Sequence, residues 1–248
     1  MTDAYSAALE IFNSHMHTAY TLDNPQLIPV TRRTAVKEKN RVIREIGAKN
    51  KPVSSPSDFN YMLAKAIIGM DGDHTSDQAA ILFSTDMHPV ETPQEILLHE
   101  LAHVFALTHE ADGAWFADSL DEENIPLFSG YLIWKEFIAD YIALWCVKPP
   151  VHDLKRMELK KRDKLRLLRN DSTSHDFLAN YLAFCCCSYE VQYGTLEGVD
   201  LPFVGVIRVL ARQVRKEEYW KIEPEFLEEI GNQFLYGKTM LALGMLGK

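Results

Sequence analysis

The stretch from Thr92 to Glu110 reads TPQEILLHELAHVFALTHE, with His99 and His103 four residues apart and Glu100 beside the first. On an α-helix a four-residue step turns about 400°, so both imidazoles leave one face about 40° apart and one turn along the axis. A single tetrahedral metal ion can accept both. The helix start is written into the same stretch: Thr92 caps it, Pro93 takes the first helical position, where no amide donor is needed, and Glu95 completes a T-x-x-E capping box. Ile96, Leu97, Leu98, Leu101, Val104 and Phe105 surround the polar trio. Such a helix is expected to be buried, and its polar groups then require partners. A metal ion supplies them. Zinc favours neutral imidazole nitrogen, and Glu100 projects at a neighbouring angle from which it can take a proton from zinc-activated water.

Two histidines do not hold a catalytic zinc by themselves, so the chain must offer a third ligand. One candidate is Glu136 in GYLIWKEFIADYIALWC, where Glu136 and Asp140 again stand four apart among Trp134, Phe137, Ile138, Tyr141 and Ile142. A carboxylate pair in apolar surroundings is costly without cations. With Glu136 on the metal, Asp140 lies one turn on, placed to accept a hydrogen bond from the second ring nitrogen of a ligand histidine. The other candidate is His109, which fits the spacing HExxHxxGxxH except that Ala106 replaces the glycine. Non-glycine residues resist the left-handed backbone conformation such a turn commonly uses. A continued helix is therefore the expectation at His109. For a donor to a developing oxyanion, the candidates are His175, Tyr131 and Tyr141.

HELAH at His99 to His103, followed by EFIAD at Glu136 to Asp140, resembles the gluzincin class of zinc metallopeptidases, the thermolysin-like pattern of HExxH with a downstream ExxxD. EFIADYIALWCVKP is also similar to a segment of the ImmA/IrrE-type metallo-endopeptidases, with Glu136, Ala139, Asp140, Ala143 and Pro149 in matching places. Asp140 stands where that group often has Asn. The resemblance spans His99 to Pro149 and does not extend over the rest of the chain. It implies a Zn2+ endopeptidase acting on a peptide or protein substrate. His99, His103 and Glu136 would be the ligands, Glu100 the general base, and an edge strand at Ile81 to Ser84 would pair with an extended substrate. It also implies a zincin-like α+β fold, with a small mixed or antiparallel sheet in the N-terminal part packed on the HExxH helix. The alternative is a non-catalytic zincin-like module that binds a protein partner or senses metal. Retention of Glu100 favours catalysis, because a purely structural site has no use for an unligated base.

Working outward, Asp3 to about Tyr20 places Tyr5, Ala8, Ile11, Phe12 and His15 at helical spacing, and Pro25 and Pro29 close that segment off. A charged helix is expected from Thr31 to Ile46, then an exposed connector from Lys49 to Ser57. Tyr61 to Met70 and Ala79 to Ser84 read as strands flanking a turn in MDGDHTSD, which lacks the spacing of an EF-hand calcium loop. Beyond Pro93 the periodicity is helical: Leu127 to Val147, Val151 to Leu168, His175 to Gln192, Pro202 to Tyr219, and Glu225 onward. The expectation is one domain over residues 1–248, with 1–60 as an N-terminal helical extension and 148–248 as a helical subdomain.

Composition bounds the rest. With 248 residues, 47% of them hydrophobic, the chain can bury an ordinary core, which excludes a disordered tail or a disulfide-built miniprotein. A net charge of −9 argues against nucleic acid as a partner. Leu154 to Arg169 nevertheless carries eight Lys or Arg against Glu158 and Asp163, an amphipathic helix by default and a candidate docking face for an acidic protein. The four cysteines, Cys146 and Cys185 to Cys187, lack C-x-x-C spacing and read as reduced core thiols. No apolar run approaches the roughly 20 residues of a membrane span and no secretion signal is evident, so a cytoplasmic location is expected.

Overall fold

The computed structural model describes residues 2–48, 63–71, 74–86, 92–109, 124–147, 179, 182–183, 186 and 203–242. It is a mixed α+β structure, mostly helical, and the chain falls into two units, Met1–Phe116 and Ala117–Lys248. The expected connector at 49–57, the basic segment 154–169 and His175 lie outside the described residues. So does most of the helix expected over 175–192, of which Ala179, Leu182, Ala183 and Cys186 are helical.

The first unit is built around three strands. Helix α1 (Thr2–Met16) buries Tyr5, Ala8, Leu9 and Phe12, so its apolar stripe runs through Leu9 rather than through Ile11 and His15. Strand β1 (Gln26–Val30) follows, then α2 (Ala35–Glu45), β2 (Ala64–Asp71) and β3 (His74–Ser84). The strand order is β1-β3-β2, with β1 parallel and β2 antiparallel to β3. Alternation along β3 sends its side chains to two faces. Ala80 and Leu82 join Ile28, Val30 and Ile67 against Ala35, Val42 and Ile43 of α2. Ala79, Ile81 and Phe83, of the opposite parity, are equally buried and belong to the face on which α3 (Pro93–His109) packs. The sheet is therefore covered by α2 on one side and α3 on the other. Helix α1 lies behind α3, with Phe12 edge-on to Phe105 at 6.1 Å.

Two expectations are corrected here. Ile81 to Ser84 is not an edge strand, because β3 is central and pairs along this stretch with β1 and β2 at once. MDGDHTSD is not a turn over its length either. Strand pairing continues to Asp71↔His74, and Asp77 stands within β3.

In the second unit α4 (Ile125–Val147), α5 (Val204–Gln213) and α6 (Pro224–Ala242) pack as helices. α4 is apolar almost all round, with Ile133, Trp134, Phe137, Ile138, Tyr141 and Ile142 buried. Two glycines let α4 and α6 touch backbone to backbone. A Cβ on Gly130 would fall 1.8 Å from the Leu227 carbonyl oxygen, and one on Gly231 would fall 1.8 Å from that of Pro126. Backbone cannot yield as a side-chain tip can. Gly231→Ala is thus expected to cost about 3 kcal/mol, read as a lowered urea midpoint in the fluorescence of Trp134, which packs edge-on to Phe226 of α6. An unchanged midpoint would mean that the two helices do not meet at these glycines.

Candidate metal centre

The capping box at the head of α3 forms as the sequence requires: the Thr92 amide donates to Glu95 Oε2 at 2.7 Å, and the Glu95 amide donates to Thr92 Oγ1 at 3.3 Å. This fixes where the helix begins, and with it the face on which each later residue emerges. The His99 and His103 rings stand edge to face with centroids 4.6 Å apart. His103 is buried and His99 half-buried.

Glu136, half-buried on α4, completes the group. One ring nitrogen from each of His99 and His103 and one carboxylate oxygen of Glu136 all lie within 4.8 Å of one another. Tetrahedral ligands about 2.1 Å from a zinc ion stand about 3.4 Å apart, inside that 4.8 Å limit. Two imidazoles and one carboxylate form a donor set suited to a divalent metal, and the cluster can hold one. Lys135 Nζ lies 3.2 Å from Glu136 Oε1, a partly exposed ion pair that the sequence reading did not pick out.

Glu100 emerges next to His99 yet takes no part in the ligand group. Its side chain is buried, at 7% exposure, and Oε2 accepts a hydrogen bond of 2.6 Å from the backbone amide of Ala66 on β2. That contact had no sequence signal, since the donor is main chain.

The other candidates fall as follows. α3 continues unbroken to His109, which is exposed; its Nδ1 lies 3.0 Å from the Phe105 carbonyl oxygen and its ring stacks on Phe105 at 4.3 Å. His109 is outside the ligand group, as the absence of glycine at Ala106 led one to expect. Asp140 is half-buried on α4, one turn beyond Glu136. Tyr141 belongs to an aromatic row, stacked on Phe137 at 5.7 Å and on Trp145 at 6.2 Å, while Tyr131 is half-buried near the start of the same helix. Of the cysteines, Cys186 is buried and Cys146 half-buried.

No protein-family model, no curated protein and no solved structure matches this chain. Among the described residues, no helix is long and apolar enough to cross a membrane.

Proposed function

We propose that the protein is a zinc-dependent peptide hydrolase of gluzincin type with a zincin-like fold. The observation that carries this reading is the His99, His103 and Glu136 cluster with a buried fourth group, Glu100, set beside it and outside it. A structural site would fill its last position with protein; a catalytic one keeps an open position and a base.

His99 and His103, one turn apart on α3, and Glu136 from α4 would hold the ion. Zinc there would supply a Lewis acid that polarises a scissile carbonyl and acidifies water. Glu100 accepts a proton from the attacking water and returns it to the departing amine, work for which a carboxylate fixed close to the ion is suited. The bond broken is the peptide C–N bond, and the products are a carboxylate and an amine. At 7% exposure, Glu100 is largely withdrawn from bulk water.

The test joins a metal assay to digestion of a broad peptide library. About one zinc per chain and cleavage that a chelator stops and added zinc restores are the expected results. Zinc without cleavage of any peptide would replace the hydrolase reading with a metal-binding module.

A further inference from the structure

Ala66 lies in β2, whose residues alternate between two edges of the strand. The Ser84 amide donates to the Leu63 carbonyl oxygen, and Ala66 pairs with Ile81 three residues along, so odd-numbered residues of β2 direct their amides and carbonyls toward β3. The Ala66 amide therefore belongs to the other edge, where β2 has no strand neighbour among the described residues. An edge amide left there is a donor for water or for an added strand. In this protein it is taken by Glu100 Oε2 at 2.6 Å.

Resting on the hydrolase reading above, we propose that the backbone N–H of Ala66 is a positioning group for Glu100. It ties one carboxylate oxygen to the sheet and leaves the other for the water proton. A buried carboxylate on a flexible stem has several rotamers, and a charge-assisted hydrogen bond from rigid main chain selects one. A second consequence concerns the substrate. An extended peptide that added to this edge of β2 could not use the Ala66 amide, which Glu100 already occupies. Position 66 is a gap in the donor row, and its N–H serves the chemistry instead of peptide affinity.

Two measurements on the full chain test this. The first is amide hydrogen exchange by NMR, which needs no activity. In the wild type the Ala66 amide should exchange about 10- to 100-fold more slowly than in Glu100→Ala, the range expected for losing a hydrogen bond to a charged group, while the Ala64 amide keeps its rate. Equal rates at Ala66 would overturn the proposal. The second replaces residue 66 by its α-hydroxy acid, which deletes the N–H and adds no bulk. The kcat should fall about 10- to 100-fold with KM and zinc content unchanged. A raised KM at constant kcat would instead assign this amide to the substrate, and an unchanged kcat would deny it any part; both refute the inference. Should the wild type cleave no peptide, the hydrolase reading falls, while the exchange rates still decide whether the strand holds the carboxylate.

Discussion

Replacing Glu100 by Gln is expected to lower peptide hydrolysis by about 10²- to 10⁴-fold while the bound metal stays in place. The size follows from what the substitution changes. Gln has the shape of Glu and retains a side-chain oxygen that can accept from the Ala66 amide, so the contact at 2.6 Å need not be lost. What disappears is the basic oxygen. Because Glu100 lies outside the group of His99, His103 and Glu136, metal content should match the wild type within error. The measurement is initial rate against a cleaved library peptide, with metal quantified on the same samples. A Gln variant that still hydrolyses at the wild-type rate would remove Glu100 from the base role.

The amino-acid sequence announced α3 and α4 because both are local. Thr92, Pro93 and Glu95 fix a start, a four-residue step sets His99 above His103, and the same step sets Glu136 before Asp140. Each residue needs only its own helix to find its place. The sheet was less legible because strand order is a property of distant pairing. β1 is only five residues long, contains Pro29, and gains its partner from β3 through pairs such as Gln26↔Ala80. The proline is tolerable because β1 is an edge strand. Once β1 occupies the far side of β3, the edge expected at Ile81 to Ser84 no longer exists, and among the described residues the sheet edge near Glu100 belongs to β2. MDGDHTSD misled for a related reason: Asp and Ser favour turns locally, yet cross-strand pairing carries β2 and β3 through most of it. The Ala66 contact was invisible for a different reason, since a main-chain donor is the same at every residue except proline.

Removing the carboxylate of Glu136 is expected to weaken metal binding by more than about 100-fold, beyond the about 10- to 100-fold that loss of an outer hydrogen-bond partner brings. Asp140→Ala provides the comparison, because Asp140 stands one turn from Glu136 on the same half-buried face and carries the same charge. If both residues acted only through their charge, the two variants would lose metal alike. Coordination predicts a clear order, with Glu136→Ala far weaker than Asp140→Ala, and competition against a calibrated chelator measures both. The ion pair that Glu136 makes with Lys135 is partly exposed, at 21% and 30% side-chain accessibility, and pairs of that kind contribute about 0–1 kcal/mol. Denaturant unfolding of both variants and of the wild type, all stripped of metal, separates lost binding from lost fold. Equal metal affinities in the two variants, or a Glu136→Ala protein that retains its ion, would leave His99 and His103 as two ligands in search of a third and would take the proposed hydrolase mechanism with them.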